Sequence, residues 1–330
     1  MGIIILVNSN KELLTICEDC NMGREKGSYN VYIGDVALDE YYRADRWPGT
    51  ADKEEVETLP AVPGGMIANA ACVSAALGQD TLFWTAMNSG AISKLLLEDL
   101  EKQGIDTSMS VVDDSLPDSK TMIFLVENEH TIFIPILHIE KIELTEEQVE
   151  VLKNARYIYS TCGVLATLRF GDKSWQEFAP EIRAAGAKVV VDYDVDYERN
   201  GDEVRFMNVD IGFFNETGFD SVRGERSFQE EAARLHELGM DLVVVTLGAD
   251  GCVVDKTGEI PFHVPARNVE VVDVTGAGDT FCSSFIAALE ENGLKEAAEF
   301  ATAAASICVS HMGARSGAVS KEEVLKVLNG

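Results

Sequence analysis

The segment Asp273-Val274-Thr275-Gly276-Ala277-Gly278-Asp279-Thr280-Phe281 has the residue types and spacing to hold an anion and act on it. It follows a β-branched, strand-like run at 269–272, and it opens a stretch that reads as a helix from Asp279 onward. A glycine-rich turn of this kind aims the free N–H groups of a helix N-terminus, and the positive end of its dipole, at one spot. Gly276 and Gly278 let the backbone approach a phosphate closely. Asp279 lies in the first helical turn, where two readings stand. It is a helix-terminal carboxylate, or it is a general base beside a transferring phosphoryl group.

Other phosphate and nucleophile signatures are absent. No Gly-Lys pair occurs, so there is no Walker A loop, and neither G-x-G-x-x-G, H-E-x-x-H nor G-x-S-x-G is found. A second glycine pair, Gly64-Gly65, precedes a helix of small residues that ends at Gly78. Close packing of that helix on a sheet explains most of its composition. Asn69 is the odd member, because an amide among Ala and Val needs hydrogen-bond partners, which a polyol ligand could supply. Asp39 closes the run Gly34-Asp35-Val36-Ala37-Leu38-Asp39 at the end of the first predicted strand. Ligands of open α/β sheets bind outside the carboxyl ends of strands. Asp39 is therefore either a turn aspartate or an acceptor for sugar hydroxyls.

The elements that must position these residues alternate along the chain. Strands are predicted at 31–36, 81–85, 157–160, 188–192, 209–214, 242–246 and 251–254. Helices are predicted at 67–77, 92–103, 175–185, 228–238, 279–290 and 296–309, several of them ending at a glycine. This order implies a mostly parallel sheet with helices on both faces. Two regions break the rhythm. Residues 40–62 are charged and carry Pro48 and Pro60, and 109–136 contain alternating runs at 121–126 and 131–135 that read as a hairpin. These excursions could combine into a small sheet of their own.

A chain of 330 residues admits about two domains, or one large α/β domain with an excursion. Apolar residues make up 46% and charged residues 25%, which is ordinary globular composition. With 27 Lys+Arg against 56 Asp+Glu, the formal charge is -29, so nucleic acid and anionic membrane are excluded as main partners. No apolar run is long enough for a membrane span or has the flanks of a signal peptide. The seven cysteines are scattered, and most sit in apolar surroundings, which places the chain in the cytoplasm. Cys17 and Cys20 form a lone CxxC without further ligands, and the five histidines lack metal-ligand spacing.

Taken in order, these motifs resemble those of the PfkB/ribokinase family of carbohydrate kinases. Gly34 with Asp39 resembles its first-strand motif, and 64–78 its N-terminal signature. The turn Thr246-Leu247-Gly248-Ala249-Asp250-Gly251 resembles its nucleotide-side T-x-G-x-x-G turn, and 273–281 matches its C-terminal signature almost throughout. The resemblance spans about residues 30 to 320. It implies a Rossmann-like three-layer α/β sandwich with a small β-sheet lid, built from about 40–62 and 109–136. The chain then divides into an N-terminal extension, 1–28, and a kinase domain, 29–330.

The resemblance also implies site roles. Asp279 is the base in ATP-dependent phosphorylation of a sugar hydroxyl, and the N–H groups of Gly276, Ala277 and Gly278 form the anion hole. Asp39, Gly64, Gly65 and Asn69 hold the sugar. Asn215, Thr246, Gly248 and Gly251 lie near the nucleotide. Asp273 and Thr275 match positions that hold a monovalent cation such as K+ in some members.

Departures from the family pattern concern metal and substrate. The N-x-x-E motif that organises Mg2+ begins at Asn215 but has Gly218 in place of its acid, and the neighbouring Glu216 becomes the indirect Mg2+ candidate. In the segment 194–198, Asp196 and Glu198 replace an Asn and an Arg of some sugar-kinase members. Lid edges are strand-pairing surfaces, so a homodimer through the lid is expected. Two alternatives stay open. Tyr41, Tyr42 and Trp47 could stack on the base of a nucleoside, and a non-catalytic sugar-binding protein could retain this scaffold.

Overall fold

Valine-rich runs without polar alternation must be covered on both faces, and this requirement sets the layers. The computed structural model describes residues 24–127, 129–193, 203–315 and 318–329, with the backbone of a strand pair, Ile5–Val7 against Leu13–Thr15. Cys17, Cys20 and the segment 194–198 lie outside the described residues.

The main sheet contains β1 (Tyr29–Ile33), β2 (Asp80–Trp84), β3 (Tyr157–Thr161), β4 (Lys188–Asp192), β5 (Ile211–Asn215), β6 (Leu242–Thr246), β7 (Cys252–Lys256) and β8 (Phe262–Val264). Their spatial order is β8-β7-β6-β5-β4-β3-β1-β2. The strands from β6 to β2 are parallel, and β7 and β8 add antiparallel pairs at one edge. Nine helices of the described residues are used below: α1 (Met66–Ala76), α2 (Ala91–Lys102), α3 (Glu146–Asn154), α4 (Trp175–Ala185), α5 (Glu216–Arg223), α6 (Phe228–Glu237), α7 (Ala277–Asn292), α8 (Leu294–Val309) and α9 (Lys321–Asn329).

Helices α1, α2, α7, α8 and α9 cover one face around Tyr32, Phe83, Tyr159, Phe213 and Phe285. Helices α3, α4, α5 and α6 cover the other around Val31, Trp175, Phe178, Val191 and Phe214. Side chains alternate between these cores along each strand, as the period of two demands. The result is a three-layer α/β sandwich with a mostly parallel sheet.

A second sheet is built around Ala37–Ala44, which directly follows the first strand. It pairs in parallel with Lys120–Val126 and antiparallel with Glu57–Thr58 and Val62–Gly64. Lys120–Val126 continues into a hairpin with Glu129–Phe133. Tyr42 stacks on Phe124, and Trp47 lies between Phe124 and Phe133. The residues from Arg24 are docked against the main sheet's edge, where Arg24 bridges Asp80 and Asp106.

One expected strand is absent. The run 269–272 joins no sheet, and Val271 and Val272 are 60% and 51% exposed. Instead the N–H groups of Val272 and Asp273 donate to the carbonyl of Val309 at the end of α8. The chain has left the sheet after β8, and this anchor turns it toward the start of α7. β-branched composition alone does not supply a strand with a neighbour to pair with.

Candidate active site

The carboxyl ends of the parallel strands carry Gly34, Thr161, Asp192, Asn215 and Thr246, in sequence with the register of the sheet. Helix α7 begins over this edge. Gly276 caps it with φ 78°, and a Cβ there would meet the carbonyl oxygen of Ala314 at 2.6 Å. Hydrogen bonds among the described residues leave the N–H groups of Gly276 and Gly278 without a backbone acceptor, whereas that of Ala277 donates to the Val274 carbonyl at 3.2 Å. The anion hole expected from three N–H groups thus has two open donors here, because the Ala277 N–H closes the turn. Two orphan donors at the N-terminus of a 16-residue helix still fit an anionic group.

Asp273 stabilises the turn that delivers these donors. Its carboxylate accepts from the Thr275 N–H at 2.9 Å, the Thr275 hydroxyl at 2.7 Å and the Gly313 N–H at 2.8 Å. Burial pushes its pKa up, but these hydrogen bonds prevail and hold it below the ordinary carboxylate value.

Asp279 projects from the first turn of α7 to a residue 210 positions earlier. The Asn69 Nδ2 on α1 donates to Asp279 Oδ2 at 3.0 Å. Asn69 is 7% exposed, and its Oδ1 accepts from Arg315 Nε at 3.1 Å. The same guanidinium donates through Nη2 to the Gly64 carbonyl at 3.1 Å and through Nη1 to Asp99 of α2. An amide has four hydrogen-bonding positions, so Asn69 keeps one N–H and one lone pair beyond these contacts.

Asp39 lies against the Gly64-Gly65 turn. A Cβ on Gly64 would fall 1.9 Å from Asp39 Oδ2, so only glycine leaves room for that carboxylate. Burial pushes the Asp39 pKa up to about 6, against the opposing pull of the Thr121 hydroxyl and the Arg315 charge. Gly65 has φ 99° and ψ 127°, and a Cβ would meet Val36 Cα at 2.7 Å and the Asp35 carbonyl at 2.8 Å. Gly65→Ala is therefore expected to lower stability by more than about 1–3 kcal/mol, the usual cost of strained backbone alone. A thermal-unfolding midpoint equal to that of the parent chain would contradict this. The N-terminus of α1 is itself occupied: Asp35 accepts from the N–H groups of Met66 and Ile67. The Gly64-Gly65 turn thus leaves room for the Asp39 carboxylate and offers no second phosphate cradle.

Asn215 and Thr246 are register partners at the ends of β5 and β6. Asn215 caps α5, accepting from the Gly218 N–H at 2.6 Å, while Glu216 is exposed and Gly218 buried. Thr246 leads into the tight turn Gly248–Asp250, closed by the Leu247 N–H on the Gly251 carbonyl at 2.7 Å. Glu216 makes no ready metal cage, and no group of three or more His, Cys, Asp or Glu suited to a metal occurs among the described residues.

Three residues escaped the sequence reading. Arg315 and Asp99 join the site only through folding, and no local pattern marks either. Asp192 ends the apolar run of β4, is buried, and accepts from Tyr159 at 2.8 Å. Burial first, and then the nearby charges of Asp192 and Asp279, hold the Tyr159 pKa well above its ordinary value. A charged residue closing a valine run was the available signal.

Comparison with known proteins identifies the family. The model of the pfkB family of carbohydrate kinases matches residues 28–321. A ribokinase of Arabidopsis thaliana is 28% identical over 318 residues, covering 90% of this chain and 80% of its own. A nucleoside kinase of Methanothermobacter thermautotrophicus is 28% identical, covering 89% of this chain and 93% of its own. The structure of Arabidopsis thaliana ribokinase complexed with ribose and ATP superimposes with a TM-score of 0.77 at 25% identity, covering 92% of this chain and 99% of that one. With that match spanning nearly all of the described fold and both signature turns, the chain belongs to the pfkB family of carbohydrate kinases.

Proposed function

We propose that this chain transfers the γ-phosphoryl group of ATP to a hydroxyl of a sugar, with Asp279 as general base. The observation that carries this reading is the Asn69–Asp279 hydrogen bond. It joins the two signature segments, and with them a carboxylate, an amide and the open N–H groups of a helix N-terminus. Asp39, Gly64, Gly65 and Asn69 form the sugar side. Asp279 takes the hydroxyl proton as that oxygen attacks, the new O–P bond forming as the bond to the ADP oxygen breaks. The Gly276 and Gly278 N–H groups stabilise charge on the transferred group, a preorganised contribution that needs no motion during the reaction. In this reading the second sheet is a lid over the site, excluding water.

Asn215, Thr246, Gly248 and Gly251 make the nucleotide side. Mg2+ would supply neutralisation of phosphate charge, and an ion of this kind needs few ligands from protein. Asn215 and Glu216 are its protein-side candidates, and this sparse donor set fits such an ion. Asp273 and Thr275 are the candidates for K+; the contacts already made by the Asp273 carboxylate leave it one lone-pair direction for a cation.

The liganded Arabidopsis relative supports a sugar acceptor. A nucleoside is the second reading, because Tyr41 lies near the Asp39 and Asp273 charges while Tyr42 and Trp47 are spent on packing. A coupled ADP-release screen across sugars, sugar acids and nucleosides separates the two. Turnover with none of them would remove the catalytic reading.

The edge strand Glu129–Phe133, with Ile134 and Ile136 each 69% exposed beyond it, supports a homodimer through the lid. Sedimentation velocity is expected to show a dimer, and Ile134→Lys with Ile136→Lys a monomer. No helix among the described residues is long and apolar enough to cross a membrane. The cytoplasm is the proposed compartment, in line with free thiols at Cys72, Cys162, Cys252, Cys282 and Cys308.

A further inference from the structure

An arginine can only donate hydrogen bonds, and an ionised carboxylate can only accept them. An amide held between the two therefore has one orientation. Asn69 is in that position: Oδ1 faces Arg315 and Nδ2 faces Asp279. The arginine is itself fixed from two other sides, by Asp99 of α2 and by the carbonyl of Gly64 in the turn beside Asp39. Its side chain is mostly buried, and its charge reaches Asp39 as well.

We propose that Arg315 is a positioning residue for the transfer, locking the Asn69 amide in the orientation that ties down Oδ2 of Asp279. The inference rests on Asp279 being the base. Without the guanidinium, Oδ1 loses its anchor, and the amide is free to leave the rotamer that holds Nδ2 on the carboxylate. The base then loses its alignment with the hydroxyl, while the nucleotide side, built from β5 and β6, is untouched. Arg315 thereby couples three separate elements: the Gly64-Gly65 turn, α2 and the loop after α8. A lysine is no equivalent, because its single ammonium lacks the planar fork that spans the three acceptors.

The test uses the full chain with ATP, Mg2+ and D-ribose, replaced by the fastest compound of the screen if D-ribose gives no ADP. Arg315→Met is expected to lower kcat by about ten- to hundredfold, the scale of a small misplacement of a catalytic group. ATP KM stays unchanged. Asn69→Ala combined with Arg315→Met should lose little more than the larger single loss, since both act on one contact. Added guanidinium ion should restore part of the kcat of Arg315→Ala, which a merely structural arginine would not show. Asp99→Asn, which removes only the outer anchor, gives a smaller loss in the same direction and covers the case of a misfolded Arg315 variant.

Asp279→Asn is measured alongside. If it is inactive while folded Arg315→Met keeps normal kcat, or if the double variant loses the product of the two single effects, the positioning role is overturned and the base assignment stands. If Asp279→Asn turns over normally, the base assignment fails and the positioning role with it.

Discussion

Asp279→Asn is expected to lower kcat by about 10²–10⁴-fold, the usual contribution of a general base, while the folded protein still binds ATP. The substitution keeps the size of the side chain and an oxygen able to accept from Asn69 Nδ2, so the contact between α1 and α7 has a means to survive. What it removes is the capacity to take a proton. The competing reading makes Asp279 a first-turn carboxylate on α7. Such a residue contributes roughly 0.3–1 kcal/mol through the helix dipole, and the amide would replace it at little cost to turnover. Its side chain instead reaches across to a buried amide on another helix, which dipole stabilisation alone does not require. The decisive measurement is kcat on the true acceptor, taken with nucleotide binding by calorimetry. A folded Asp279→Asn protein with near-normal kcat leaves only the helix-end role.

Much of the frame was legible in the sequence because it depends on short-range chemistry. Valine runs marked β4 and β6, and Gly78, Gly104, Gly186 and Gly239 stop helices with positive φ. Helix α3 was missed although Thr145 and Gln148 form a capping box, a signal that needs only four residues. The run at 269–272 misled for the opposite reason: its residue types suit a strand, but β8 is already the sheet's edge and Val309 takes its hydrogen bonds. At the site, glycine and aspartate spacing pointed to Asp39, Asn69 and Asp279. The turn N–H of Ala277 was assigned to the anion, and its bond to Val274 depends on turn closure that residue types do not encode. Arg315 and Asp99 are 216 residues apart, and neither stands in a pattern that would bring it to Asn69. A long-range ion pair of this kind becomes visible only when three helices and a loop have been packed.

Asp39→Asn is expected to raise the sugar KM by roughly 10–100-fold. A hydrogen bond to a charged group contributes about 1.5–3 kcal/mol, and each 1.4 kcal/mol or so is a factor of ten. ATP KM should hardly move, because Asp39 lies in the second sheet beside the Gly64-Gly65 turn, whereas the nucleotide side is assigned to the ends of β5 and β6. The ionised form is the one that accepts sugar hydroxyls at both oxygens, and burial has raised its pKa from 3.8 to about 6. Sugar binding must therefore weaken as the pH falls through about 6, and sugar KM should climb toward tenfold per unit below it. Stability responds with the opposite sign. Between the unfolded value of 3.8 and about 6 the folded chain retains a proton that the unfolded chain has released. That contribution favours folding at low pH and is lost as the pH rises through about 6. Asp39→Asn cannot titrate, so its sugar KM should be flat across the same range. Other groups, including the phosphates of ATP, titrate equally in both proteins, and the comparison isolates the carboxylate. A parent chain whose sugar KM is level from pH 5 to 7 would show that Asp39 does not bind the sugar in its ionised form.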